Sequence, residues 1–245
     1  MCTVVYIPDN YKVFFASLRD ENPLRPTAIS PEVFVVNDIT VLAPKDTLGG
    51  GTWLGINDYK NVSILLNGGF KKHKLKEHYQ KSRGLIVLEL LSSKTPMVDW
   101  ELMNLEEIEP FTLLVWCDKN MFHLVWDGNQ KHRFKLDSTV PHIFSSSTLY
   151  NTEAKTNRQK LFQKWVATNP NISKRSLLNF FKSAVDTENG FIINRKEKIK
   201  TLSFSFIEIN NNTNAELNYY DLQNFTQSSK TISMKKSAAD CDIPV

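Results

Sequence analysis

The feature that most constrains this chain is punctuation. From the N-terminus to about residue 145 it is cut into short β-branched and aromatic runs separated by turn clusters. Cys2–Ile7 and Tyr11–Leu18 flank Pro8-Asp9-Asn10 and read as a hairpin. Residues 20–32 carry Pro23, Pro26 and Pro31 and read as a loop, because proline cannot donate to a sheet ladder. Val33–Val36 and Thr40–Leu42 read as short strands, and Thr52–Ile56 pairs with Val62–Leu66 around Asn57-Asp58-Tyr59-Lys60. Phe111–Cys117 and Met121–Asp127 form another hairpin, and Arg133–Leu136 and His142–Ser145 continue the strand pattern. Arg83–Leu91 suits a helix, and Glu101–Glu107 a second short helical piece.

The period changes near residue 153. Glu153–Ala167 places Leu161, Phe162, Trp165 and Val166 at helical spacing. Ser173 is a suitable N-cap for a helix over Lys174–Val185. Thr201–Ile209 returns to alternation, with Ala215–Leu222 as its partner strand. From Gln227 the chain turns polar, which predicts one domain over residues 1–226 and a frayed tail over 227–245. Strands, then a helical pair, then strands imply antiparallel sheets carrying helices in layers.

Composition removes several function classes. The net charge is +4, too mild for the clustered basic footprint of a nucleic-acid binder. No apolar run reaches the roughly 18 residues of a membrane span, and the N-terminus lacks the basic start of a signal peptide. Cys2, Cys117 and Cys241 are widely spaced, with no CxxC pair. Neither a zinc site nor a disulfide framework is expected, and a reducing cytoplasm is the simplest compartment. No metal and no cofactor is called for.

Three places carry chemistry. Removal of Met1 would leave Cys2 with both a thiol and an α-amine. An α-amine of pKa about 7.7–8.0 can accept the thiol proton. Arg19 and Asp20 end the second strand of the first hairpin, where the turn returns the chain toward residue 2. There Arg19 could favour a thiolate and Asp20 hold the amine. Gly49-Gly50-Gly51-Thr52-Trp53-Leu54-Gly55, with Asn67-Gly68-Gly69 after the next strand, permits close backbone approach to a ligand. Asn67 could donate its amide to an oxyanion. Read alone, each segment also fits an ordinary strand end or turn. The basic run Lys71 to Lys76 could meet a phosphate or carboxylate.

Taken together, Met1-Cys2, Leu18-Arg19-Asp20-Glu21 with Arg25-Pro26, Gly49 to Ile56, and Leu66-Asn67 resemble one family. It is named for its Asn-Arg-Asp-Glu motif and is also called the transport and Golgi organisation 2 family. Ser82-Arg83-Gly84, Pro110 to Val115 and Ser145 to Leu149 add weaker likeness, so the resemblance runs to about residue 205. It implies an α+β fold of the N-terminal-nucleophile (Ntn) hydrolase kind, a four-layer αββα sandwich of two antiparallel sheets. It also implies cleavage of a small non-peptide amide, with Cys2 as nucleophile, Arg19 and Asp20 tuning it and Asn67 as oxyanion donor. Glu21, Arg25, Thr52 and Trp53 would contact substrate. The alternative it implies is a non-enzymatic binder or carrier of an acyl, lipid or haem-like ligand. This chain departs from the motif at Leu18, at Ser146-Ser147 and at Leu202, where the family pattern has polar groups.

Overall fold

The first hairpin sets the register for everything around it. Strand β1 (Thr3–Pro8) pairs antiparallel with β2 (Lys12–Glu21), from Thr3 opposite Leu18 to Pro8 opposite Val13. The structure, a computed structural model, describes residues 3–9, 11–183, 186–210 and 213–235. The remaining strands are β3 (Ile29–Val36), β4 (Ile39–Lys45), β5 (Leu54–Asn57), β6 (Val62–Asn67), β7 (Phe111–Cys117) and β8 (Asn120–Trp126). They continue with β9 (Lys131–Leu136), β10 (His142–Ser145), β11 (Asn194–Arg195), β12 (Ile199–Asn210), β13 (Asn214–Asp221) and β14 (Thr226–Ser233). The helices are α1 (Arg83–Leu91), α2 (Pro96–Leu102), α3 (Thr152–Thr168) and α4 (Lys174–Ser183).

These strands form two antiparallel sheets. The first runs β10-β1-β2-β12-β13-β14, with β11 beside β12; the second runs β3-β4-β5-β6-β7-β8-β9. Alternation divides the first sheet cleanly. Val5, Ile7, Phe14, Ala16, Leu18, Phe204 and Phe206 face α3 and α4, where Phe162, Leu177, Phe180 and Phe181 cover them. Val4, Tyr6, Phe15, Ile207 and Leu217 face the second sheet and share its core with Ile64, Leu66, Leu114 and Trp116. Helices α1 and α2 close the outer face through Ile86, Leu90, Met97 and Trp100. The layers are therefore αββα, an α+β sandwich.

Local signals account for the helix starts. Asn151 caps α3 by accepting the Ala154 N–H, and Ser82 caps α1 by accepting that of Gly84. Ser173 accepts the Ser176 N–H at 3.1 Å. The second short helix lies earlier than its apolar pattern predicts: Pro96, at the first helical position, starts α2, which ends at Leu102. The loop expected over residues 20–32 gives way to strand from Ile29. The tail expected from Gln227 is strand as far as Ser233, eight residues of β14 pairing with β13 at the sheet edge. Cys117 is held in a disulfide, against the expectation from cysteine spacing; the other two cysteines of the sequence lie outside the described residues. Among the described residues no helix is long and apolar enough to cross a membrane.

His123 on β8 stacks on Phe144 of β10, ring centroids 5.0 Å apart. Burial pushes its pKa down to about 4 from 6.5. A depressed folded-state pKa means stability that is complete above pH 6.5 and is lost as pH falls toward 4. Denaturant titrations of wild type and His123→Gln should therefore differ by a constant amount above that window and by a changing amount inside it. A difference independent of pH from 8 to about 4 would contradict a buried neutral imidazole. Separately, Phe204→Ala, stripping a ring that touches Phe181 and Tyr220, should cost about 3–5 kcal/mol in the same assay.

Candidate active site

The end of β2 and the loop after β4 meet at one carboxylate. Asp46 follows Pro44-Lys45 and precedes the glycine run. Arg25 grips it with both arms of its guanidinium: Nε donates to Oδ1 at 2.9 Å and Nη2 to Oδ2 at 2.6 Å. Arg19, 5% exposed on β2, donates to the same Oδ1 at 3.1 Å. The Gly49 N–H donates to Oδ2 at 2.8 Å. Burial opposes charge on Asp46, but the Arg25 hydrogen bonds, its charge and the Gly49 N–H carry the carboxyl below the usual carboxylate range. For Arg19 burial is the larger influence and pulls its pKa down, with Asp46 and Glu21 opposing. Glu21 stands 3.9 Å from Arg25, so two guanidinium groups and two carboxylates share the cluster.

Trp53 supplies the floor. Its ring lies 4.6 Å below the Arg19 guanidinium, which holds that side chain flat without using its donors. The indole N–H has no partner among the described residues. Thr52 lines the same wall, but its hydroxyl donates to the Leu54 carbonyl at 2.9 Å and so serves the loop. The glycine run presses against the start of α1. A Cβ on Gly51 would fall 2.2 Å from the Gly84 carbonyl carbon, so only glycine permits this backbone contact. The Thr52 N–H donates to the Gly84 carbonyl at 3.1 Å across it.

Arg19, Glu21, Arg25, Thr52, Trp53 and Asn67 all line one cleft of about 110 Å³, together with Asp46, Ser82 and Arg83. Asn67 ends β6, opposite Phe111 of β7. Cys2 lies outside the described residues. Thr3, its neighbour, pairs with Leu18, one residue from Arg19. Asp20 does not share the cleft. Period-two alternation turns it to the other face of β2, where it is 2% exposed and accepts hydrogen bonds from Tyr150 at 2.7 Å and Thr201 at 2.6 Å. Leu18, where the family motif has asparagine, also faces the helices and is buried in their core.

Two residues went unmarked in the sequence. Asp46 sits in a loop with no motif; its signal was two arginines in need of a carboxylate. Arg158 of α3 is 2% exposed, stacks 3.5 Å from the Tyr150 ring and donates to the Thr3 hydroxyl at 2.6 Å. It also donates to the Ser145 hydroxyl and to the Asn189 and Gly190 carbonyls. It thus ties the start of β1 to α3. Among the described residues no three His, Cys, Asp or Glu side chains are grouped as metal ligands.

The sequence matches the family described as Transport and Golgi organisation 2 across residues 1–239, well past the segments that carry the resemblance. No curated protein sequence matches it. Among solved structures, the chain is similar to the Caenorhabditis elegans ortholog of N-acylethanolamine-hydrolyzing acid amidase. The identity is 12% and the TM-score 0.58, covering 84% of this chain and 92% of that one. It is also similar to two variants of conjugated bile acid hydrolase from Clostridium perfringens, at 11% identity and TM-scores of 0.54 and 0.58. Both cover 98% of this chain and 99% of the other. At such identities the likeness establishes the shared Ntn-hydrolase fold.

Asp46→Asn should destabilise the protein by about 3 kcal/mol or more, because two guanidinium groups lose their shared partner. The folded-state pKa of Asp46 is depressed, so its contribution is complete above the unfolded value of 3.8 and is lost as pH falls through the lower folded value. Chemical denaturation at pH 7 and at about pH 3 checks both parts. A gap between wild type and variant that does not narrow in acid contradicts the assignment.

Proposed function

The chain belongs to the Transport and Golgi organisation 2 family, and from that premise we propose that it is a cysteine amidohydrolase cleaving a small non-peptide C–N bond through Cys2. The observation that carries the reading is the cleft gathering Arg19 and Asn67 beside the Thr3 end of β1. Covalent geometry holds the Cα of Cys2 within about 3.8 Å of that of Thr3. Thr3 is itself fixed by Leu18 across the hairpin and by Arg158 from α3. The residue that follows the proposed nucleophile in sequence is thus held from two sides.

The chemistry follows from these groups. With Met1 removed, the α-amine of Cys2 takes the thiol proton and the thiolate attacks the amide carbon. The carbonyl oxygen becomes an oxyanion, and the Asn67 amide donates to it. The intermediate collapses: the C–N bond breaks, the amine leaves with the proton from the α-ammonium, and a thioester remains. The α-amine then deprotonates a water that attacks the thioester, releasing the carboxylic acid and regenerating the thiol. Arg19 would act on the thiol as part of a cluster in which Asp46 and Glu21 balance the two arginines. Asp20 acts from behind the strand, where Tyr150 and Thr201 bind it, as a support for the β2 terminus. The cytoplasm, expected from cysteine spacing, loses that support because Cys117 is held in a disulfide.

Intact-mass measurement should show the chain beginning at Cys2. Against a panel of N-acyl amides, wild type should turn over at least one member and Cys2→Ala none. Asn67→Ala should lower kcat by about 10²–10³-fold. Turnover that survives Cys2→Ala, or a retained Met1 in an active preparation, would sink the reading.

A further inference from the structure

Next to the cleft, Leu66 and Gly69 bracket Asn67-Gly68 in sequence and line a cavity of about 330 Å³ between the sheets. Its lining is mixed: Val125, Ile143 and Phe144 form an apolar strip beside Thr112, His123 and the Ser145–Ser147 run. A second cavity of about 440 Å³ opens over the first turn of α3. The two share Phe70, Ser147 and Lys155 as lining residues and so join into one trough. Each volume lies within the range of about 300–1,000 Å³ usual for small-molecule sites.

Lys155 is out of place for stability alone. It is half-buried, and burial alone pulls its pKa down, with no carboxylate acting on it among the described residues. It lies at the N-terminal end of α3, where the helix dipole disfavours a cation. Lys71 and Lys72, from the basic run after Asn67, line the same cavity. Within the hydrogen-bonding groups of the trough, the Ser147 hydroxyl is buried without a partner. A partly desolvated ammonium with no carboxylate beside it among the described residues and an unsatisfied hydroxyl both cost free energy that a bound anion would offset. The helix N-terminus that repels Lys155 would attract that anion.

We propose that the trough binds an amphiphile, its apolar chain lying along Ile143 and Phe144 and its anionic end paired with Lys155 and flanked by Lys71 and Lys72. The anion is a carboxylate or a phosphate, the shared chemistry being an oxyanion that accepts from ammonium groups. The inference rests on the proposed hydrolase reading only in placing a scissile bond near Asn67; binding itself does not involve Cys2.

Isothermal titration with dodecanoate, dodecyl phosphate and dodecanol, all below their aggregation limits, tests it. At least one anion should bind wild type roughly ten- to a hundredfold more tightly than dodecanol, the value of a charge-assisted contact. The anion that binds more tightly identifies the headgroup. Lys155→Met should erase the preference, and a cooperative unfolding transition in denaturant shows that the variant is folded. The double variant Lys71→Ala/Lys72→Ala should reduce the preference, and Cys2→Ala should leave all affinities as they are. Equal affinity for anions and alcohol, no binding of any of the three, or a preference that persists in Lys155→Met overturns the proposal. Such a failure alongside Cys2-dependent turnover leaves the hydrolase reading standing. Anion-selective binding without turnover separates the two the other way.

Discussion

The carboxylate of Asp46 is the point on which the rest of this architecture leans. Arg19 reaches it from the first sheet, Arg25 from the connection that leaves that sheet, and the Gly49 amide from the loop between β4 and β5. Hydrophobic contact alone would let two sheets slide or splay, because it has no direction. A bidentate guanidinium–carboxylate pair has direction. It fixes the mouth of the sandwich at one separation, and with it the distance from the Thr3 end of β1 to Asn67. A buried ionic arrangement is weak evidence for net stability; its value here is geometric.

Behind the cleft a second set of polar contacts does similar work. Asp20 bridges Tyr150 and Thr201, and Tyr150 in turn lies under Arg158, which holds Thr3 and Ser145. Strands β1, β2, β10 and β12 and helix α3 are thus knotted together on the helical side, while Asp46 clasps the opposite side. Adjacent residues on one strand, Arg19 and Asp20, therefore serve two layers. The motif they belong to is a hinge pin through the sheet, with one end in the cleft and the other among the helices.

Much of this was open to reading from the chain itself. The hairpins at Phe111–Trp126 and at the N-terminus, the helix over Arg83–Leu91 and the return to strand after Thr201 follow from period and turn chemistry. Arg19, Arg25, Trp53 and Asn67 are drawn to one place by the family resemblance, since spacing and turn chemistry leave each segment open to an ordinary strand end or turn. What escaped had physical reasons. Strand β14 is polar because it is a sheet edge: of Thr226–Ser233 only Ile232 is buried, so there is little alternation to see. Helix α2 hid behind its proline, which starts a helix as readily as it breaks one. Asp46 had no pattern because its partners come from other elements. The separation of Asp20 from Arg19 was legible in principle, since neighbours on a strand point to opposite faces.

The contact between Gly51 and Gly84 has a consequence for how such a protein can change over time. Main chain meets main chain there, with no side chain between them whose size could be adjusted. Neither position can accept even a methyl group unless the whole loop or the helix is moved, which would drag Trp53 and Asp46 with it. That wall of the site is a frozen part. Adaptation to a new small molecule has more room on the opposite bank, around the β6–α1 connection, where exposed side chains such as Lys71 and Lys72 can be exchanged.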